Sequence, residues 1–318
     1  MPLETRCGHC QRITPSSELV EIRGYRYCDR CFREHAFFCA DCGRADWVNE
    51  SYGNRQHRLC YNCWRQRNHW EPVEVESREN TFDITGSRRC FGVELETSLC
   101  PGHTSLKGKT CFGVKEDGSI AGLEFISPIL CGDKGLTEVK NFCKLAHQRR
   151  FKSFDECGFH VHIDMRDTSS LQRRKVAFAY IATMDLWAAC VDEERWDNCF
   201  CKLMEYTPQD VEGARSFEEF VDRRDRYEFV NWRAIRSHTT VEIRGYQGTL
   251  QATQICNWIM AHLRFVDFVK DKTFNELKAM FCNGPKRAKR MMRKIIGKRL
   301  SNYYAKKWRK DAGKFSYA

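Results

Sequence analysis

Residues 158–164 read GFHVHID. In an extended chain, residues two apart share a face, so His160 and His162 project together while Val161 and Ile163 point the other way. Three further segments share this design: FGVELE (91–96), GLEFISP (122–128) and TTVEIRGY (239–246). In them Glu94 pairs with Glu96 and Glu242 with Arg244, while Val93, Leu95, Val241 and Ile243 take the opposite, core side. A solvated sheet face normally mixes Lys, Thr, Ser and Glu. These strands instead present carboxylates, imidazoles and one guanidinium.

Any one such pair reads as an ordinary exposed strand face. Four together read differently, because carboxylates on neighbouring strands repel unless a cation sits among them. Oxygen-rich ligation with histidine points to magnesium or manganese. Helical spacing fills the intervals, over Leu136 to Arg150, Leu171 to Trp196 and Ala252 to Phe281, and in the last of these Ile255, Trp258, Ile259, Leu263, Phe265, Val266 and Val269 form a core stripe. Gly284-Pro285 breaks the pattern.

Upstream, a shift of 32 positions lays Cys7, Cys10, Cys28 and Cys31 onto Cys39, Cys42, Cys60 and Cys63, each set spaced C-x2-C-x17-C-x2-C. Arg23, Arg26 and Arg33 fall on Arg55, Arg58 and Arg65. This duplicated, zinc-ribbon-like module is expected to hold two structural Zn2+ ions in closed four-thiolate sites, with metal supplying most of its folding energy. His9, His35 and His57 are surplus to the ligand count. A crossed arrangement, in which the first and third knuckles share a metal, is the alternative. The module reads either as a folding staple or as a docking platform carrying Tyr25, Tyr27, Trp47, Trp64 and the repeated arginines.

The chain has 318 residues, 42% apolar and 30% charged, which places it with ordered globular proteins. Its start, MPLETRCGHC, lacks the features of a secretory signal, and the apolar run Val176 to Val191 is too short for a membrane span and contains Asp185. The expectation is a cytoplasmic protein without membrane association, with reduced thiols. The eleven cysteines from Cys90 to Cys282 are therefore expected to be unpaired and mostly buried, Cys157 among them as a packing residue. Of the formal charge of +11, residues Lys286 to Lys314 supply +12, from 13 Lys and Arg against Asp311. That leaves about −1 for the remainder, so the basicity belongs to the tail. Its cations alternate with Met291, Met292, Ile295, Ile296 and Leu300, as in a basic amphipathic helix. Such a segment either packs with a solvated outer face or contacts nucleic acid or another polyanion. Tyr303, Tyr304 and Trp308 would then either stack on bases or pin the helix down.

The order GVELE, DGSI with LEFISP, GFHVHID, a segment with Tyr227 and Asn231, then TVEIRGYQGTL resembles the amidoligase family of glutamine synthetase-like carboxylate–amine ligases, from Cys90 to about Leu250. The resemblance implies an α+β fold, a curved antiparallel sheet with helices packed outside. It also implies ATP and magnesium acting on carboxylate and amine substrates through an acyl phosphate. Carried over by motif, Glu94, Glu96, Glu124, His160 and Glu242 would bind metal, and Arg244 would meet phosphate. Arg233 and Arg236 are further phosphate candidates, and His162 would bind substrate or orient its neighbours. Asp117, in an Asp-Gly that is also an ordinary turn signal, would position the amine or a metal water. No Gly-rich phosphate cradle of the G-x-x-x-x-G-K-S type is present, so nucleotide binding rests on the resemblance.

The expected organisation is a zinc module over 1–70, a linker over 71–89, a catalytic domain over 90–283 and a basic helical segment over 284–318. The expected function is an amidoligase acting on a macromolecular acceptor: a protein, a peptide or a modified nucleic acid. A non-catalytic nucleic-acid-binding protein and a two-metal nuclease or phosphoesterase are the rival readings.

Overall fold

The computed structural model describes residues 4–54, 56–75, 85–116, 120, 122–196 and 198–310. The chain divides into two compact units, Met1–Trp70 and Glu71–Ala318.

In the first unit the sequence repeat is also a structural one. Hairpins Glu4–Arg6/Ile13–Pro15 and Leu19–Ile22/Tyr25–Cys28 lead into the helix Asp29–His35. Hairpins Ala36–Phe38/Ala45–Trp47 and Tyr52–Asn54/His57–Leu59 then lead into the helix Tyr61–Asn68. Each half has only a small core: Ile22, Tyr27 and Phe32 in the first, Phe37 and Leu59 in the second, all packed against cysteines. Cores of this size do not fold unaided, so the thiolate sites must contribute.

The second unit is α+β. Its sheet has seven strands, all antiparallel, in the order Gly113–Glu116, Leu123–Ile126, Cys90–Thr97, Gly158–Asp164, Thr240–Gln247, Val230–Asn231, with Leu130–Cys131 also pairing on Cys90–Thr97. Phe91, Val93, Leu95, Val161, Ile163, Val241 and Ile243 are all buried, and the helices Gly132–Gln148 and Ala252–Val269 pack in this core. Period two alone would place Tyr246 beside Glu242 and Arg244. It lies in the core instead, against Trp258, because the strand bulges: Phe159 faces Tyr246 but Val161 faces Ile243, so Arg244 and Gly245 together oppose His160. Only glycine fits at 245, where an added Cβ would stand 1.9 Å from the Phe229 ring.

Several expectations are corrected. Cys90 and Cys131 form a disulfide, because two neighbouring strands set them directly opposite each other with Cα atoms 4.5 Å apart. Their sequence separation of 41 gave no hint of this. Most of the remaining scattered cysteines are buried, as expected, but Cys199 and Cys282 are exposed. The helix anticipated over Leu171 to Trp196 stops at Ala182, where the Thr183 hydroxyl donates back to the Ala179 carbonyl, and resumes as Met184–Ala188 and a short turn at Glu193–Arg195. The helix anticipated over Ala252 to Phe281 is two, Ala252–Val269 and Phe274–Phe281, the second started by a Thr273–Glu276 capping box.

The end of the polar stretch read as linker is built into this unit: Thr85, Ser87 and Arg89 are buried, and Arg89 bridges Asp167 and Asp267. The basic segment forms the helix Pro285–Tyr304, kinked at Gly297 and packed against Ala252–Val269 and Phe274–Phe281. Tyr304 and Trp308 are buried, which settles the use of those rings in favour of packing. Among the described residues, no helix is long and apolar enough to cross a membrane.

Candidate active site and metal centres

Among the described residues, four groups could hold a metal ion. Two are Cys7/Cys10/Cys28/Cys31 and Cys39/Cys42/Cys60/Cys63, so the knuckles pair sequentially and the crossed arrangement is not built. The Sγ atoms of Cys10 and Cys28 lie 3.7 Å apart, and those of Cys42 and Cys60 lie 3.8 Å apart. Burial pushes the Cys7 and Cys39 thiols up, but backbone N–H groups aimed at their sulfurs outweigh it and bring each down to about 6. Four sulfurs from two tight knuckles suit tetrahedral zinc and leave no open position.

The other two groups lie on the polar face of the large sheet: Glu94/Glu124/His160 and Glu94/His162/Glu242, with the ligand atoms of each group within 4.8 Å of one another. Register produces them. His160 is paired with Glu94, His162 with Glu242, and Glu124 with both Glu96 and Lys115, across adjacent strands. His160 Nδ1 is 3.1 Å from Glu94 Oε2, and His162 Nε2 is 3.5 Å from Glu94 Oε1. His162 bonds through Nδ1 to the Thr240 hydroxyl at 2.8 Å, while its Nε2 is buried with no hydrogen-bond partner. A ring held by one nitrogen with the other buried, bare and directed at a carboxylate fits a metal ligand oriented by a supporting hydrogen bond.

The electrostatics agree with that fit. Burial drives the Glu94 carboxyl up, but the hydrogen bond from His160 and the charge of the two close imidazoles, His160 and His162, hold it well below the ordinary carboxylate value. Glu242 is likewise buried and lies below the usual range because His160, His162 and Arg244 oppose its desolvation. Its Oε1 takes Arg244 Nη1 at 2.5 Å and its Oε2 takes Asn231 Nδ2 at 2.7 Å. Glu124 goes the other way. Burial and the neighbouring Glu94 push it up to about 8 despite Lys115 Nζ at 2.8 Å. A carboxyl strained in this way is relieved by a cation among the three.

Glu94, Glu124, His160, His162, Glu242, Arg244 and Arg233 all line one cleft of about 760 Å³, together with Lys115, Arg226, Tyr227 and Asn231. An adjoining cavity of about 400 Å³ shares Glu94, Lys115, His162 and His238 and adds Ile126, Pro128 and Ile129. Glu96 is not part of the cleft lining. It is buried and accepts the Gly158 N–H at 2.5 Å, with Oε1 3.5 Å from His160 Nε2. Arg236 is ion-paired with Asp222 and does not line the cleft. Asp117 lies outside the described residues.

Residues 105–212 match the family described as "Putative amidoligase enzyme". The matched stretch is about a third of the chain and includes Glu124, His160 and His162; Glu94, Glu96, Glu242 and Arg244 flank it. The amidoligase match supports a ligase-type enzyme. No curated protein matches the chain.

Sequence reasoning passed over Lys115 and Arg226 as candidates and gave Asn231 no role. Lys115 had a signal, since it stands two residues before the DGSI motif, on the strand Gly113–Glu116 that precedes the glutamate segment. Arg195 had none. It is 4% exposed, donates to the Arg244 carbonyl at 3.2 Å and the Cys157 carbonyl at 3.5 Å, and so ties the bulge to the start of the histidine strand.

Proposed function

We propose that the chain is an ATP- and divalent-metal-dependent carboxylate–amine ligase of glutamine synthetase-like architecture. The observation carrying this reading is the shared Glu94, which belongs to both three-residue groups, with the bare Nε2 of His162 directed at it in an arginine-lined cleft. Glu94, Glu124, His160, His162 and Glu242 would hold two magnesium or manganese ions. Bound ions and ATP would supply charge neutralisation and the phosphoryl group, turning a carboxylate into an acyl phosphate with release of ADP; an amine would then attack the acyl carbon and expel phosphate to leave the amide.

The chain's own residues position and neutralise. Arg244, fixed by Glu242 and by the bulge, presents a guanidinium that cannot swing away, and Arg226 and Arg233 line the same cleft. Fixed donors of this kind stabilise charge developing on a transferred phosphoryl group without reorganising. The adjoining, more apolar cavity offers room for the organic part of a substrate whose reacting group lies at Glu94 and His162. We further propose a macromolecular acceptor, since a duplicated zinc module and a basic helix are superfluous for a free amino acid.

The test is a crystal structure with magnesium and a non-hydrolysable ATP analogue. The reading expects metal at Glu94 and phosphates against Arg244 and Arg233. Nucleotide bound away from this cleft would sink it, and metal-dependent phosphodiester cleavage without nucleotide would make the centre a two-metal hydrolase.

A further inference from the structure

The helix Pro285–Tyr304 contains no Asp or Glu. Its apolar side is fully used: Ala288, Met292, Ile295, Ile296, Leu300 and Tyr304 are buried against the rest of the unit. The other side exposes Lys286, Arg287, Arg290, Arg293, Lys294, Lys298 and Arg299, none of them ion-paired with a described residue. A few exposed cations elsewhere on this unit meet carboxylates, as Arg166 meets Asp164, Arg223 meets Glu219 and Arg236 meets Asp222, whereas this helix gathers seven with no carboxylate of its own among them. A rigidly mounted helix face of one sign, with no internal neutralisation, is a docking surface for a polyanion.

We propose that this face binds the phosphate backbone of double-stranded nucleic acid without reading its sequence. Five of the cations, Lys286, Arg287, Arg290, Arg293 and Lys294, precede the kink within ~12 Å of helix axis, or one per roughly 2–3 Å. Duplex DNA presents about one phosphate charge per 1.7 Å, a density of the same order. A membrane fits less well, because an interfacial helix inserts its apolar side and this one's is buried in the fold. A single strand also fits less well. Such partners are held by stacking on exposed rings, and Tyr304 and Trp308 are buried, which among the described residues of this segment leaves Tyr303, 37% exposed, at the far end. None of the seven exposed cations lines the cleft, so the inference does not depend on the ligase reading.

The experiment measures affinity of the zinc-loaded full chain for a labelled 20-base-pair duplex across a salt series, against a single strand, a poly-glutamate peptide and phosphatidylserine vesicles. The test variant is Arg290→Gln/Arg293→Gln/Lys294→Gln. The control is Lys134→Gln/Lys140→Gln/Lys144→Gln, which removes the same charge from exposed positions of the helix Gly132–Gln148. Thermal melts verify that both are folded. The expected result is duplex binding weakened about tenfold or more in the test variant alone, with the slope of log K against log salt shallower by about 2–3, at ~0.9 per lost phosphate contact. Equal loss in the control, no loss in the test variant, or equally tight binding of the single strand, the peptide or the vesicles would overturn it.

Discussion

The chain assembles groups that could hold metal in two regions, by opposite routes. In Met1–Trp70 the ligands are most of what there is to fold around: four thiolates per half, in knuckles beside a handful of apolar side chains. In Glu71–Ala318 a sheet with a largely apolar underside and packed helices makes the scaffold, and the candidate ligands stand on its other face. The first arrangement is closed and suits structure. The second has a cleft above it, a glutamate shared between two groups and a histidine nitrogen without a hydrogen-bond partner, which suits chemistry. Residue type follows from this division, since thiolates saturate a tetrahedral ion whereas carboxylates and imidazoles leave positions for substrate.

The largest effect is expected at the cysteines. Cys7→Ser should cost one of two zinc ions per chain, and with it the ordered structure of residues 1–35, because zinc binding contributes on the order of 10 kcal/mol to such modules. Metal analysis and proteolysis of that segment measure this; a variant keeping two zincs and an intact module would refute the sequential assignment. The large unit should ignore the loss, melting as before.

That unit's own weak point is predicted to be a salt cluster rather than a metal. Arg89 is buried and bridges Asp167 and Asp267, so Arg89→Met should cost about 3 kcal/mol in denaturant titrations. The same cluster sets an acid limit. Burial pushes Asp167 up, but Arg89 and Lys270 outweigh it and hold it down at about 2. Its contribution is therefore complete above the unfolded value near ~4 and lost as pH falls from there toward 2. In Arg89→Met that stretch of the pH–stability curve should flatten, and an unchanged acid limb would disprove the assignment.

A smaller effect separates ligand from scaffold on the sheet. Glu94→Gln should weaken manganese binding by roughly a hundredfold or more, at or beyond the top of the range seen for supporting residues. It should change the melting temperature of the metal-free unit little, since the lost attraction to His160 and His162 is offset by relief of the repulsion from Glu124 and the amide can keep the contact to His160. A fall of several degrees would mean that the glutamate is structural. Smallest is Gly245→Ala, expected to cost about 1–3 kcal/mol by forcing Phe229 to move. Because Arg244 is the other half of the bulge, nucleotide affinity should drop alongside stability.

How far these features were readable depends on how local their causes are. The zinc repeat is a spacing, and spacing survives translation into structure, down to the equivalent hairpins and helices. The sheet's two faces follow from period two, and register then brought Glu94, Glu124, His160, His162 and Glu242 together. The bulge was not legible, because an extra residue opposite His160 is set by pairing with a strand some 80 residues away in sequence. The Cys90–Cys131 pairing was hidden for the same reason. The fate of Glu96 turned on a backbone N–H at Gly158 that no pattern reveals. The break before Phe274 was written locally, as Thr273-x-x-Glu276, but the apolar stripe ran across it and masked the cap. The Arg195 contacts are made to carbonyl groups, which leave no side-chain signature.

The central claim is that the glutamate face is a two-ion centre organised by Glu94. Electron paramagnetic titration of the zinc-loaded chain with manganese, with and without a non-hydrolysable ATP analogue, tests it directly. Two manganese ions per chain should bind with the analogue present, more tightly than without it, and both should be weakened by about a hundredfold or more in Glu94→Gln. Manganese binding that is absent, or that persists unchanged in Glu94→Gln, would contradict it.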